Sequence, residues 1–364
     1  MSRLSIVHTE ASLGWGGQEL RILAESQGLM KRGHEVRLIC PPQARICTEA
    51  PKWGLPVIAA PIGEKGLAGL KAMARWFRAN RCDVISTHSS TDSWLAAVAM
   101  LLLGRPYAIV RTRHISAPVT KNLLTRWLYT GATSRIVTAG EALRRDLIEH
   151  NRYPAARIDS VPTGIDTQRF RPGDRTAARK ALGLPTGQPL IGIVATLRSW
   201  KGHLLLIEAF AGLPKTVGLV IVGDGPMRPQ LEARVHQLHL RDRVIFAGNQ
   251  ADVLPWLQAI DLFALPSYAN EGVPQALVQA MLTGLPCVTT DVGSIPEVAT
   301  DGRTALVVPP RDVPALRFAL GRLLDDGVLR VQLGEAARSH CAAGYSYERM
   351  LDRMEAIYRQ VSRR

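Results

Sequence analysis

Five cysteines in 364 residues (Cys40, Cys47, Cys82, Cys287 and Cys341) show no paired metal-ligand spacing, and several lie in apolar strand-like runs that suit a buried thiol. A reduced, cytoplasmic protein is the expectation. Long apolar runs are also missing: the longest, Trp94–Leu103, is ten residues, where a membrane span needs about 20. The N-terminal stretch "MSRLSIVHTEASLG" has too short an apolar core for a signal peptide. The chain is therefore expected to be soluble, or at most peripheral on the inner face of the cytoplasmic membrane. Aromatics are sparse at 5%, and the basic residues are not interleaved with them in any recognisable RNA- or DNA-binding motif, which argues against a nucleic-acid partner. There is no low-complexity block and no repeat at solenoid spacing.

What is present is globular, with 46% hydrophobic and 21% charged residues, and the length suits two domains better than one large core. The net charge of +14 is unevenly spread: residues 1–170 carry 23 Lys and Arg against 13 Asp and Glu, while the remaining 194 carry 22 against 18. An anionic partner for the first half, or plain solubility, would explain that excess. Short β-branched runs alternate with helix-period stretches: "LSIVH", "VRLIC", "VISTH", "YAIVRT" and "RIVTA", then "LIGIVA", "GLVIVG", "VIFAG", "LFALPS", "CVTT" and "ALVVPP". Strands apolar along their whole length belong to parallel sheets covered on both faces, so the fold class is α/β with two doubly wound domains.

Pro, Gly and charge concentrate in "DSVPTGIDTQRFRPGDRTAARKALGLPTGQP", which places the hinge at about Pro162 to Pro189. The tail reads as one amphipathic helix with Met350, Met354 and Tyr358 at i, i+4 and i+8. The expected domains are residues 1–165, residues 166–345, and a C-terminal helix, 346–364, that returns to the first domain. In "GLKAMARWFRANR", Lys71, Arg75 and Arg78 fall at i, i+4 and i+7 with Trp76 and Phe77 nearby. Such a helix suits an anionic lipid surface, or else packs its apolar side on its own sheet.

Open parallel sheets bind ligands outside the carboxyl ends of their strands, so the loops there carry most weight. The first, "HTEASLGWGGQE", has glycines that allow close backbone approach at a helix N-terminus. Its spacing of Gly14, Gly16 and Gly17 is not the dinucleotide fingerprint, so no nicotinamide or flavin cofactor is expected. "ATLRSWKG" presents Arg198 and Lys201, two cations able to neutralise a diphosphate or simply to sit solvated. "PSYANEGVPQALVQAM" enters a helix near Pro274, so the backbone amides of Gln275 and Ala276 would point at a phosphate. An acid beside that anion site, Glu271, makes sense as an acceptor of hydroxyl hydrogen bonds, and the pairing suggests a sugar phosphate.

With "LGWGGQE", "VPTGIDTQRFRP", "ATLRSWKG", "VGDGP" and "NEGVPQALVQAM" followed by "TGLPCVTTDVGSIPE" in this order, nearly the whole chain resembles the retaining glycosyltransferase family 4 of the GT-B fold. That fold sets two Rossmann-like domains to face a cleft. The resemblance implies that Glu271 accepts hydrogen bonds from the donor sugar. It implies that Arg198 and Lys201 stabilise the leaving diphosphate, helped by Gly272, Val273 and the helix start beyond them. It implies that Gly16 and Gly17 line the cleft near the phosphates, that His114 in "RTRHIS" contacts the sugar near the reacting carbon, and that Gly248, Asn249 and Gln250 meet the nucleobase.

The departure is Gln279, where the family pattern has a second acid that binds the ribose; glutamine keeps one acceptor but loses the charge. His8, His88 and Glu10 are further candidates to line the acceptor side. The expected activity is transfer of a sugar from a UDP- or GDP-linked donor to a glycan or lipid-linked acceptor hydroxyl, such as a lipopolysaccharide core. No Asp-x-Asp pair stands at a strand end, so no metal is expected. An epimerase of the same fold, acting with no acceptor, and a non-catalytic nucleotide-sugar-binding protein are the alternatives.

Overall fold

The computed structural model describes residues 2–104 and 106–362. The chain divides into two compact units, Met1–Thr163 with Glu348–Arg364, and Gly164–Tyr347. The first is built on β1 (Ser5–Thr9), β2 (Glu35–Cys40), β3 (Val57–Ala59), β4 (Val84–Thr87), β5 (Ala108–Arg113), β6 (Arg135–Thr138) and β7 (Ile158–Ser160), in the order β3-β2-β1-β4-β5-β6-β7. The second holds β8 (Leu190–Val194), β9 (Gly218–Val222), β10 (Val244–Gly248), β11 (Leu262–Leu265), β12 (Cys287–Thr290) and β13 (Leu306–Val308), in the order β10-β9-β8-β11-β12-β13. All the strand pairs are parallel.

Helices cover both faces of each sheet, so the central strands are buried end to end, as in "VIST" of β4 and "GLVIV" of β9. This is the α/β fold with two doubly wound domains. The three-residue strands β3 and β7 are too short to carry a pattern of their own. They are added at the sheet edges by pairing with β2 and β6.

Register fixes where loops can meet. His8 pairs with Ser86 and Thr9 with Thr87, while Thr87 pairs with Arg111, so β1, β4 and β5 finish level and their following loops share one edge. In the second sheet Leu262 pairs with Ile191 and Phe263 with Gly192, which brings the loops after β8 and β11 side by side.

One region differs from the sequence reading, and a second selects between its two alternatives. The Pro- and Gly-rich stretch is not loop throughout: Arg175–Leu182 is a helix of the second unit, capped by the Asp174 side chain, with buried Arg179 donating to Asp261 at 2.5 Å. The helix Leu67–Ala79 turns Gly69, Met73 and Phe77 inward, and Trp76, half-buried, meets the Phe77 ring edge-on at 5.0 Å between centroids. Only Lys71, Arg75 and Arg78 of its marked residues stay exposed, so Phe77 is spent on the core and cannot face a lipid surface.

The C-terminal helix Tyr347–Ser362 buries Met350, Leu351, Met354, Ile357, Tyr358 and Val361. Arg32 ties it down through Glu348 at 2.6 Å, Asp352 at 2.8 Å and Glu355 at 3.1 Å. Among the described residues no helix is long and apolar enough to cross a membrane.

Candidate active site

Each sheet reverses its strand order once, between β1 and β4 and between β8 and β11. Loops leave such a point in opposite directions and open a crevice there. The chemistry-bearing residues gather at these two places, each within its own unit.

In the first unit, His8 lies next to the end of β1, His88 follows β4, and His114 follows β5. His8 Nδ1 is 2.8 Å from His88 Nε2, and His88 Nδ1 is 3.1 Å from His114 Nε2. The His8 and His88 rings stack at 5.1 Å between centroids. His8 and His88 are buried, and His114 is half-buried. The expectation that His8 and His88 line an acceptor surface is therefore corrected: their ring nitrogens face one another. Burial pushes all three pKa values below the usual histidine range, with Arg21 adding to the effect on each.

Glu10 is corrected likewise. It is buried, and accepts from the Ser12 backbone N–H at 2.7 Å and from the Gln18 amide. Burial, and then the charge of Asp92, raise its carboxyl to about 8 against the pull of the Ser12 N–H. Asp92 accepts from Thr9 Oγ1 at 2.7 Å and from the backbone N–H of His88 and Ser89 at 2.9 and 2.7 Å. Asp92 is a missed residue whose signal was present, because "SSTD" is a capping box at the head of the helix Ser90–Leu102. Gly16 is the N-cap of the helix Gly17–Lys31, with no side-chain cap hydrogen bond and an extended φ of −178°.

In the second unit, Lys201 Nζ lies 2.6 Å from Glu271 Oε1, across the β8/β11 switch point. Glu271 is only 4% exposed. The two loops are stitched by Tyr268 N–H donating to the Trp200 carbonyl at 2.8 Å. Two glycines permit this approach. Gly202 has φ +78°, and a Cβ there would stand 2.0 Å from the Pro266 carbonyl oxygen; Gly293 has φ +60°, and its Cβ would stand 2.2 Å from that of Glu271. Arg198 is exposed, its guanidinium 5.9 Å from the Trp200 ring centroid, and makes no ion pair among the described residues.

The helix Gln275–Leu282 begins at Pro274 with no side-chain cap hydrogen bond, so its positive end is directed at the loop that carries Glu271. Gly272 and Val273 are buried; Gln275, Ala276 and Gln279 are half-buried. Gly248 takes φ +70° at the end of β10, Asn249 is exposed, and the Gln250 amide turns back to the Ala247 carbonyl at 2.6 Å. Ser267 and Ser294 were not singled out by sequence. Both are fully buried beside the Glu271 loop, with hydroxyls that find no partner among the described residues. Nor do three His, Cys, Asp or Glu side chains gather in a metal-holding group among those residues.

This edge joins a buried carboxylate, two cations and a helix N-terminus, which suits a ligand with both hydroxyls and phosphates. Residues 174–340 match the profile described as "Glycosyl transferases group 1", and residues 15–169 that of "Glycosyltransferase Family 4". The D-inositol 3-phosphate glycosyltransferase of Xylanimonas cellulosilytica is 30% identical over 96% of this chain and 93% of its own. The chain belongs to glycosyltransferase family 4.

This family 4 enzyme is 24% identical, over 98% of its length and 97% of the other's, to the UDP-Gal:alpha-D-GlcNAc-diphosphoundecaprenol alpha-1,3-galactosyltransferase of Escherichia coli. Its fold matches the crystal structure of Anabaena Alr3699/HepE in complex with UDP-glucose with a TM-score of 0.89, at 21% identity over 98% and 100% of the two chains. The glycosyltransferase is thus of GT-B type, and its Lys201–Glu271 pair sits at the switch point of its second Rossmann-like unit.

Proposed function

We propose that this glycosyltransferase moves a sugar from a nucleotide-diphosphate donor to an acceptor hydroxyl with the anomeric configuration retained and without a metal ion. The observation that carries the reading is the Lys201–Glu271 pair, 2.6 Å apart beside the start of the helix Gln275–Leu282. Glu271 takes hydroxyls of the donor sugar, while Lys201, Arg198 and the backbone amides at the helix start take the diphosphate. Gly248, Asn249 and Gln250 take the base, and Gly16, Gly17 and His114 keep the donor-contacting roles that the family resemblance implies.

As the bond between the anomeric carbon and the phosphate oxygen breaks, charge grows on the diphosphate and the fixed cations stabilise it. The acceptor oxygen bonds to the same face of that carbon, and its proton passes to the departing phosphate oxygen.

The UDP-glucose bound to Alr3699/HepE and the UDP-Gal in the name of the E. coli relative favour UDP over GDP. That relative's diphosphoundecaprenol acceptor favours a lipid-linked glycan here. The first unit supports an acceptor at an anionic membrane surface: Leu67, Leu123 and Leu124 are 72%, 85% and 68% exposed, among Lys65, Lys121 and Arg126. Lys65 lies over the Trp94 ring, which in turn contacts Trp127, so these segments share one patch.

The test is turnover of UDP- and GDP-hexoses in EDTA, with a diphosphoundecaprenol-linked glycan as acceptor and the product anomer read by NMR. Transfer with retention from one donor is the expected result. Inversion, an EDTA-abolished rate, or an altered nucleotide sugar without transfer would each overturn the part of the proposal it addresses.

A further inference from the structure

The three imidazoles at the ends of β1, β4 and β5 form a row, and their facing nitrogens are used on one another at 2.8 and 3.1 Å. His88, in the middle, uses both. Burial drives each ring toward its neutral form, with one N–H and one lone pair. His88 must therefore donate to one neighbour and accept from the other, and that choice sets the proton position on all three rings at once.

The buried end decides the direction. His8 Nε2 is buried with no hydrogen-bond partner among the described residues. A buried N–H without an acceptor is rarer and more costly than a bare lone pair. His8 then carries its proton on Nδ1 and donates to His88 Nε2; His88 carries its own on Nδ1 and donates to His114 Nε2. His114, half-buried at the other end, is left with its proton on Nδ1.

The row is anchored from behind. Tyr358 of the C-terminal helix donates to Glu25 Oε1 at 2.6 Å and lies 3.0 Å from Ser86 Oγ, which is 3.4 Å from His88 Nε2. Arg21, buried and 3.6 Å from Glu25, donates to the Val161 carbonyl at 2.7 Å. The rings thus have little freedom to turn.

We propose that His8 and His88 are positioning residues that lock His114 in the Nδ1–H tautomer, so that it meets its ligand as a hydrogen-bond donor. That the ligand is the donor sugar rests on the function proposed above; the tautomer does not.

The experiment is a long-range 1H–15N correlation spectrum of the full chain labelled at histidine nitrogens, which identifies the protonated nitrogen of each ring without any turnover. Wild type is expected to show Nδ1–H at His114. His88→Gln keeps a polar partner for His8 but cannot reach His114, so His114 should shift to the Nε2–H form that free imidazole prefers. A His114 protonated on Nε2 in wild type overturns the proposal even if no variant folds, and so does a tautomer unchanged in His88→Gln. If the tautomer switches while donor turnover is unaffected, the relay stands and the donor-sugar role of His114 fails. The matching kinetic expectation is a kcat lowered about tenfold in His88→Gln with KM little changed.

Discussion

Lys201 Nζ and Glu271 Oε1 stand 2.6 Å apart, with the carboxylate 4% exposed and the two loops that carry them leaving neighbouring strands β8 and β11. The pair serves fold and function differently. Lys201→Ala leaves a buried carboxylate without its cation and should destabilise the protein by about 2 kcal/mol, below the figure for a fully dry pair because the lysine keeps some water. Glu271→Gln still accepts a hydrogen bond from Lys201, so its stability should fall by less than about 1 kcal/mol. Its turnover should nonetheless drop about 100-fold, since the charge aimed at the sugar is gone. Urea midpoints and donor turnover on both variants check the separation, and equal stability losses would contradict it.

Gln279 is half-buried on the helix Gln275–Leu282, and its side chain makes no hydrogen bond among the described residues. A carboxylate there gains charge-assisted bonds to a ribose. Gln279→Glu is therefore expected to tighten nucleotide-diphosphate binding by about 1 kcal/mol, roughly fivefold in Kd. Calorimetric titration with UDP checks this. Weaker binding in the variant would mean that the glutamine is matched to its ligand.

The first unit carries opposing pH signals. The three histidines of the row have pKa values below the ordinary 6.5, so under that pH the unfolded chain takes up protons that the folded chain refuses, and stability falls as pH drops below about 6.5. Glu10 does the reverse: with its carboxyl raised from 4.5 to about 8, the folded chain keeps a proton that the unfolded chain has lost, and stability falls as pH rises through that window. Each fully shifted group contributes a slope of about 1.4 kcal/mol per pH unit. From these groups a maximum near pH 6.5 is expected, and Glu10→Gln should flatten the alkaline side up to about pH 8. Melting temperatures from pH 5 to 9 decide it; an unchanged alkaline fall in the variant would assign that fall elsewhere.

The parts legible in sequence were those with a local cause. Apolar strands such as "GLVIV" announce burial on both faces, and "NEGVPQ" places an acid next to a helix start within six residues. Glu271 meeting Lys201 depends on the β8/β11 switch point, which brings together residues 70 positions apart and which strand patterns do not encode. The histidine row is less legible still. Each member ends its own strand, and only the register that sets Thr9 beside Thr87 and Thr87 beside Arg111 turns three strand ends into one chain of rings. For the helix Leu67–Ala79 the sequence leaves both readings open, because a helix has two sides and its sequence does not say which one meets the sheet; burial of Met73 and Phe77 selects packing on the unit's own core.

A last prediction isolates backbone from side chain. Gly293 and Gly302 both have left-handed φ, +60° and +66°, but a Cβ on Gly293 would lie 2.2 Å from the Glu271 carbonyl oxygen, whereas one on Gly302 meets nothing within 4 Å. Gly302→Ala therefore incurs only the backbone strain, about 1 kcal/mol, and should leave turnover intact. Gly293→Ala adds a clash with main chain that can be relieved only by moving residue 271. It is expected to lose about 2–3 kcal/mol, and turnover should fall at least tenfold although no functional side chain is altered. Undiminished activity in Gly293→Ala, with stability lowered as expected, would show that Glu271 tolerates displacement and does not need the fixed position that its contact with Lys201 gives it.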